Sequence, residues 1–474
     1  MGDIEASRNE HARSWLLLSL MLGNVTAVVS STIFNIAVPD LMRDFGIGQE
    51  RAQWVAAGFL AAMTVSMLPT PWLLKRHGCR RIFGAAVLLL MLGSLVGGCV
   101  MSFELVLAMR VLQGLAAGIL QVMPAIVILY AFEPGTQGRA LGILSLGVVL
   151  APALGPSLGG ALVDSFGWRS IFFCVVPFTL VSYVLSRRWV PREAPSGKAA
   201  GAGTDAFDFG GLVLAGAGLL LLLNGLVHLH DADLRLAALL LAASMTMCCV
   251  FVLHQRRAAA PLLNLDVFAS VTFSAASIVA FVYGSAIYGS AYVVPVFLQM
   301  GLQQSAVLAG AVMLPAGAVL AITVTLAGRM ADRFSPHRLV VLGLGTLAIS
   351  FALMGSVHLV SSPAAVVGMI VLGRVGLGIV MPSLSLGAVR GLEPLLLSHA
   401  AGTIAFLRQL GGVVGIGVIG TVLEWRMLGR ESQPVVAFAE VFGLLAGIVV
   451  LATLAALVMG RRAASSPPAG AGEL

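Results

Sequence analysis

Charged side chains inside long apolar segments are the first residues of this sequence that could do chemistry. Arg110 lies well inside such a segment, with Gln113 one helical turn further on. An ionised side chain in the middle of a bilayer costs about 3 kcal/mol or more unless it is paired, so it marks a functional site by default. Arg374 and Arg408 are embedded in the same way, and Glu440 is the clearest embedded carboxylate. Two alternatives stay open: Arg110 locks helices together through backbone carbonyls, and Glu440 is a charge at the membrane interface.

A second polar feature is the stretch VVSSTIFNIAVPD at residues 28–40, which carries four polar side chains and no charge before its last residue. A membrane helix tolerates such residues where it faces a cavity that holds water or substrate. This stretch and several aromatic and amide side chains of other apolar segments are candidates for substrate binding. The candidates are Asn24, Ser30, Ser31, Asn35, Trp54, Gln121, Tyr283, Tyr288 and Tyr292.

The composition indicates which elements must position these residues. Of the 474 residues, 59% are hydrophobic and only 10% are charged, whereas a soluble protein keeps roughly a quarter of its residues charged. We therefore expect an all-α polytopic membrane protein surrounded by a lipid bilayer. The net charge of +7 follows from membrane orientation in such a protein, and no nucleic-acid partner is expected.

The same sequence argues against an enzyme. The five cysteines have neither a disulfide framework nor metal-ligand spacing. We find no phosphate-binding loop, no zinc-protease motif and no credible nucleophile motif. No cofactor or metal is expected, and the energy for any transport would come from an ion gradient.

Fourteen apolar segments are long enough to cross a bilayer as helices. These predicted spans lie at 14–38, 52–74, 82–101, 104–132, 139–164, 168–187, 208–229, 234–255, 271–298, 305–328, 339–359, 363–390, 399–424 and 435–460. With the N-terminus in the cytoplasm, most of the 28 Lys and Arg residues fall in cytoplasmic loops, as the positive-inside rule requires. Both termini are therefore predicted to be cytoplasmic.

Features of the first six predicted spans recur in the last six. Pro39 is matched by Pro295, Arg110 by Arg374, and the basic loop after the second span by a similar loop after the tenth. Duplicated six-helix halves are typical of secondary transporters, which bind substrate near the bilayer midplane. The predicted organisation is a cytoplasmic tail (1–13), a six-helix bundle (14–187), a cytoplasmic linker (188–207), an inserted two-helix hairpin (208–258), a second six-helix bundle (259–460) and a cytoplasmic tail (461–474).

The two basic loops carry related motifs. The loop after the second span reads PWLLKRHGCR, and its counterpart reads GRMADRF. Both resemble the pattern G-x-L-a-D-R-x-G-R-R of the major facilitator superfamily. The first copy keeps Arg76 but has Lys75 at the Asp position, whereas the second copy keeps Asp332 and Arg333. The resemblance implies a conformational latch, and positive-inside anchoring is the alternative.

Two further motifs make the resemblance more specific. The end of the first span is similar to the family pattern L-D-x-T-I-x-N-v-A-l-P, except that Ser30 stands at the Asp position. The fifth span resembles the antiporter signature G-x8-G-x3-G-P-x2-G-G. Its matching residues are Gly142, Gly155, Pro156, Gly159 and Gly160. The order of motifs resembles the 14-span drug:proton antiporter branch of the superfamily, of the multidrug efflux type.

The resemblance implies proton-coupled export of small amphipathic or drug-like compounds by alternating access in the cell inner membrane. It assigns Arg110 and Gln113 to the proton-coupling helix, and Arg408 and Glu440 are further candidates for coupling or conformational control. A monomer is expected, and a periplasmic adaptor protein is left open. The uncharged Ser30 weakens the expectation of cation selectivity.

Two other functions stay open. One is transport of an anionic, neutral or lipid-like metabolite, which the three embedded arginines favour. The other is a membrane receptor or scaffold that kept the fold and lost transport.

Overall fold

The structure, a computed structural model, describes residues 2–194, 206–229, 234–356, 363–428 and 433–461. Most of the predicted linker and all but the first residue of the predicted C-terminal tail lie outside the described residues. Regular structure in the described residues is helical throughout. The α-helices are α1 (Gly2–Ile33), α2 (Val38–Phe45), α3 (Gln49–Met67), α4 (Thr70–His77), α5 (Cys79–Cys99), α6 (Phe103–Ala131), α7 (Gln137–Phe166), α8 (Ser170–Trp189), α9 (Phe209–His228), α10 (Leu234–Arg257), α11 (Val271–Val296), α12 (Ala306–Arg333), α13 (Pro336–Met354), α14 (Pro363–Val389), α15 (Leu397–Met427) and α16 (Pro434–Arg461).

Helices overlap all fourteen predicted spans, but a count of fourteen membrane crossings is not confirmed. Twelve described helices are long and apolar enough to cross a membrane, and a thirteenth crossing results if the bent pair of α3 and α4 is one span. The remaining predicted span corresponds to α7, whose side chains at 149–157 lie outside the described residues. The described residues therefore support a polytopic membrane protein with 12–13 candidate spans.

Two of the predicted spans differ in shape from a single straight helix. The span predicted at 52–74 bends by 56° between α3 and α4, because Pro69 has no amide hydrogen to continue the helical hydrogen bonds. The span predicted at 14–38 ends as an α-helix at Ile33. A 3-10 segment (Phe34–Ala37) follows, and Pro39 then lies in the first turn of α2, where the missing proline donor is tolerated.

Serine side chains begin several of the long helices. Ser102, Ser270 and Ser305 accept a hydrogen bond from the backbone N–H three residues further on. Such a cap satisfies one of the N–H groups that a helix leaves free at its first turn. These polar residues therefore mark where the apolar helices α6, α11 and α12 start.

The described chain forms two compact units. Unit 1 runs to Asn264 and includes Ala401–Phe406, while unit 2 comprises Leu265–Ala400 and the chain from Leu407 onward. In unit 1, α6 packs on α1, α3 and α5, and α8 packs on α1 and α5. In unit 2, α14 packs on α11, α12 and α13, and α16 packs on α11 and α13. These five packed pairs of unit 1 have counterparts in the same order in unit 2.

The helices of the predicted hairpin belong to unit 1. α9 and α10 pack along each other, and α9 also contacts α3. Less than a quarter of the apolar part of each helix is buried within the protein, so most of the surface of both helices is exposed. Exposed apolar helix surface in a membrane protein faces lipid.

Candidate functional site

The position of Arg110 depends on a close approach of α3 and α6 in unit 1. A Cβ atom at Gly114 would collide with the carbonyl oxygen of Phe59, and one at Gly118 would collide with that of Met63. Small residues four apart on one helix face allow two backbones to touch in this way. Arg110, one turn before Gly114, is thereby held against α3.

Arg110 is fully buried and surrounded by three neutral oxygen atoms and two aromatic rings. Its Nε donates to the carbonyl oxygen of Val55 at 3.3 Å, and its Nη1 donates to Ser30 Oγ at 3.2 Å and to Gln113 Oε1 at 2.9 Å. The guanidinium carbon lies 4.2 Å from the ring centre of Phe34 and 4.1 Å from that of Phe59. Cation–π contacts of this kind are strongest where both groups are shielded from water.

Gln113 extends the polar contacts of Arg110 to a fourth helix. Its Nε2 donates to Ser94 Oγ at 2.8 Å, and Ser94 donates in turn to the carbonyl oxygen of Leu90 at 2.8 Å. The series from Ser30 through Arg110 and Gln113 to Ser94 thus connects α1, α6 and α5, while Val55 adds α3. We call these residues, with Phe34 and Phe59, the Arg110 cluster.

The Arg110 cluster contains one full charge and no carboxylate among the described residues. Nη2 of Arg110 is buried and has no hydrogen-bond partner there. Ser30 stands at the position where the family pattern has Asp. It supplies no negative charge, and its hydroxyl oxygen accepts a hydrogen bond from Nη1. The polar stretch of the first span therefore supplies no negative charge to Arg110.

The other substrate-binding candidates of unit 1 have different surroundings. The Oδ1 of Asn24 and the Oε1 of Gln121 are buried without a partner among the described residues. Ser31 donates to the carbonyl oxygen of Val28 in its own helix at 2.6 Å, and Trp54 is partly exposed. The side chain of Asn35 lies outside the described residues. Asn24 and Gln121 are thus the candidates with free hydrogen-bonding capacity.

In unit 2, glycines bring α11 and α15 into direct contact. A Cβ atom at Gly284 would collide with the carbonyl oxygen of Arg408, and one at Gly411 would collide with that of Phe281. Ser285 Oγ donates across the same contact to the carbonyl oxygen of Gly411 at 2.7 Å. The glycine-rich face of α15 therefore packs on α11.

Two of the three tyrosine candidates lie at this contact. Tyr283 is fully buried and donates to the carbonyl oxygen of Leu377 at 3.0 Å, and Tyr288 donates to Gln409 Oε1 at 3.1 Å. Tyr292, on the same helix, is 40% exposed. The structure thus pairs Tyr288 with Gln409 of α15, bonds Tyr283 to the backbone of α14, and leaves Tyr292 exposed.

The other embedded charges of unit 2 fall into two groups. Arg374 and Arg408 are partly exposed, and Nη2 of Arg374 lies 4.0 Å from the sulfur of Met313. Glu440 instead pairs with Arg426, whose Nε lies 3.1 Å from Oε2, and the two side chains are 35% and 54% exposed. Arg426 belongs to the last turn of α15, so this pair agrees with the interfacial alternative for Glu440.

The first basic loop is hydrogen-bonded to the segment that follows the sixth predicted span. Gly78 takes a φ of +80°, which only glycine adopts readily, and ends α4. The next residues bond to the segment after α8, with Arg80 Nε donating to the carbonyl oxygen of Val190 at 2.6 Å. Arg76 is exposed and stacks on Trp72 at 5.5 Å. In the second copy of the motif, Asp332 is partly exposed and Arg333 is exposed.

The antiporter-signature residues of the fifth span lie on α7, which continues through Pro156 without a break. Gly142 is buried. A Cβ atom at Gly159 would approach Ile33 Cγ1 to 2.8 Å, whereas one at Gly160 would meet nothing within 4 Å. The side-chain surroundings of Gly155 and Pro156 lie outside the described residues. Of these two signature glycines, Gly159 is therefore the one at which α7 approaches α1 closely, and Gly147, outside the signature, does the same against Val25.

A polar cluster that the sequence does not predict lies at the base of the α9–α10 hairpin. Asp208 caps α9 by accepting from Gly211 N at 2.7 Å, and its carboxylate also contacts His254 Nε2 and Gln255 Nε2, both at 2.7 Å. Gln255 Oε1 accepts from the backbone N–H of Leu263 at 3.1 Å. Burial of Asp208 acts to raise its pKa, but the hydrogen bonds from His254, Gly211 and Gln255 outweigh it and lower the pKa overall. An Asp directly before an apolar helix is the one sequence signal for this cap.

We expect Asp208→Asn to lower the melting temperature of the protein at neutral pH. A hydrogen bond to a charged group contributes about 1.5–3 kcal/mol, and asparagine keeps the helix cap but not the charge. Because the folded-state pKa of Asp208 is lowered, its stabilisation is present above the unfolded pKa of about 4 and is lost as the pH falls through the folded value. Thermal melting in detergent should therefore separate the two proteins at pH 7 and bring them together under acid conditions. Equal melting temperatures at pH 7 would contradict a stabilising role for the carboxylate.

Comparison with known protein families covers most of the chain. Residues 20–416 match the family profile described as the Major Facilitator Superfamily. Among curated proteins, the chain is 30% identical over 413 residues to the drug efflux pump JefA of Mycobacterium tuberculosis, covering 86% of this chain and 80% of JefA. It is 28% identical over 425 residues to a multidrug resistance protein B homolog of the same organism, covering 87% of this chain and 76% of that protein.

Among solved structures, the proton:xylose symporter XylE superposes with a TM-score of 0.67. The match covers 94% of this chain and 95% of the XylE chain at 14% sequence identity. At this identity the similarity concerns the fold alone.

Proposed function

This chain belongs to the Major Facilitator Superfamily, and we propose that it exports small amphipathic, drug-like compounds from the cell by proton-coupled alternating access. The superfamily consists of membrane transporters and not enzymes. Relatives named for multidrug resistance and drug efflux support the compound class. The proton gradient is the energy source that fits a chain in which we find no nucleotide-binding motif.

The observation that carries the proposal is the Arg110 cluster. A charge that is fully buried and lacks a carboxylate partner in the described residues is costly, and proteins keep such residues in membranes where they do work. The cluster joins four helices of unit 1, so any change in its protonation or hydration acts on all four. This makes Arg110 and Gln113 the strongest candidates for coupling.

We infer fourteen spans, with both termini in the cytoplasm, arranged as two six-helix bundles (14–187 and 259–460) separated by the linker and by the hairpin at 208–258. The protein acts as a monomer in the cell membrane, and Arg76, Asp332 and Arg333 contribute to a latch between conformations. The coupling machinery differs from the family pattern at Ser30, which leaves Arg110 without the usual acidic neighbour.

Accumulation measurements in bacteria that lack their own efflux pumps test the proposal. Cells that produce the protein should retain several-fold less of at least one compound from a panel of lipophilic cations, organic anions and neutral amphipaths. A protonophore should abolish the difference from cells with an empty vector. Identical accumulation of every compound would contradict export and favour the receptor or scaffold alternative. A difference that survives the protonophore would contradict proton coupling alone.

A further inference from the structure

Two embedded arginines of unit 2 have no anionic partner in the described residues. The guanidinium of Arg408 makes no ion pair or hydrogen bond there, and the one polar contact of Arg374 is the Met313 sulfur at 4.0 Å. Arg110, which the repeat pairs with Arg374, instead donates to three oxygen atoms in unit 1. Both arginines of unit 2 are partly exposed.

The two arginines lie on either side of one short stretch of α11. Tyr283 donates to the carbonyl oxygen of Leu377, which is one helical turn beyond Arg374 on α14. The next residue, Gly284, lies against the backbone carbonyl of Arg408 on α15. The turn of α14 that follows Arg374 and the backbone of Arg408 on α15 thus contact neighbouring residues of α11.

Two positive charges in an apolar environment are unfavourable unless an anion accompanies them, because each charge loses hydration and the two repel each other. A structural role would require carboxylates or backbone carbonyls as acceptors, and neither guanidinium has one in the described residues. Planar guanidinium groups match carboxylate, sulfonate and phosphate groups particularly well, since they donate two parallel hydrogen bonds. The missing acceptor therefore belongs to a ligand.

We propose that Arg374 and Arg408 together bind the anionic group of the transported compound. This inference rests on the proposed export function and narrows its substrate class to amphipathic anions. The surrounding side chains suit such a compound, because the polar pair of Tyr288 and Gln409 lies on the same two helices, α11 and α15, and Met313 next to Arg374 provides adaptable apolar surface. The uncharged Ser30 agrees with it, since the first span then offers no carboxylate to attract a cation.

A binding measurement on the purified full-length protein in a neutral detergent tests the inference. The probes are naphthalene-2-sulfonate, the matched cation 2-naphthyltrimethylammonium and neutral 2-naphthol, titrated by calorimetry. We expect the sulfonate to bind at least about tenfold more tightly than the other two. Arg374→Gln and Arg408→Gln should each reduce sulfonate affinity about tenfold or more and leave 2-naphthol affinity unchanged.

Matched variants separate binding from folding. Arg390→Gln removes an exposed arginine just beyond the same helix, α14, and should bind the sulfonate like the wild type. Arg374→Lys and Arg408→Lys keep the charge and should lose less affinity than the glutamine variants. Equal affinities for all three probes, or unchanged sulfonate binding in folded glutamine variants, would overturn the inference.

Failure of the anion site and failure of the export function give different results. Selective sulfonate binding that depends on both arginines supports the anion site even if no compound is transported. Export of lipophilic cations without any preference for the sulfonate would contradict the anion site while leaving the export function intact.

Discussion

Replacing Arg110 with glutamine should lower the transport rate about tenfold or more while the protein still folds. Loss of one hydrogen bond to a charged group is worth about 1.5–3 kcal/mol, which corresponds to about tenfold or more in rate. Stability should change little, because the substitution also removes a buried charge that has no carboxylate partner in the described residues. The measurement is transport per folded molecule in proteoliposomes, alongside thermal melting in detergent.

Two control variants define what the result means. Arg110→Lys keeps a positive charge and should retain more activity than Arg110→Gln, and Ser30→Ala removes one of the three acceptors and should have a smaller effect. If Arg110→Gln instead melts at a much lower temperature but transports normally per folded molecule, Arg110 is a lock between helices and not part of the coupling machinery.

Replacing Gly411 with valine should prevent unit 2 from folding normally. A Cβ atom at this position collides with the carbonyl oxygen of Phe281, a backbone atom that cannot move without displacing α11. Overpacking of a core costs about 1–3 kcal/mol where side chains can adjust, and a backbone collision leaves less room for adjustment. We expect a sharp loss of monodisperse protein in size-exclusion chromatography of detergent extracts.

Gly443→Val is the matched control for this prediction. Gly443 lies inside α16 of the same unit, and a Cβ atom there meets nothing within 4 Å. Both variants carry the same cost of a β-branched residue in a helix, so only the contact between α11 and α15 differs. Similar yields of the two variants would show that this contact does not limit folding.

The helical architecture could be predicted from the sequence because apolar segments of bilayer length have few alternatives in lipid. The closely spaced Pro69 and Pro71 also indicate a bend between α3 and α4, whereas the span predicted at 52–74 is a single helix. The number of membrane crossings depends on how the bent pair of α3 and α4 and the helix α7 are counted, and composition alone does not decide it.

The candidate site could be predicted only in part. Arg110 stood out as a charge in an apolar segment, but its partners Ser30, Val55 and Phe59 come from two other helices, and a sequence does not reveal how each helix is rotated. For the same reason the sequence does not separate Ser31 from Ser30, although the Ser31 hydroxyl bonds within its own helix. Asp208 and His254 were missed because they are 46 residues apart and meet only when the hairpin closes.

Flux in proteoliposomes under an imposed pH gradient tests the central claim, proton-coupled export, most directly. Purified protein is reconstituted into vesicles with an acidic interior, and uptake of permanently charged amphipathic compounds is followed, since these cannot be trapped by protonation. We predict uptake that depends on the gradient, disappears with a protonophore and is strongly reduced in vesicles with the Arg110→Gln variant. Uptake of every compound at the rate of protein-free vesicles, with and without the gradient, would contradict the proposed function.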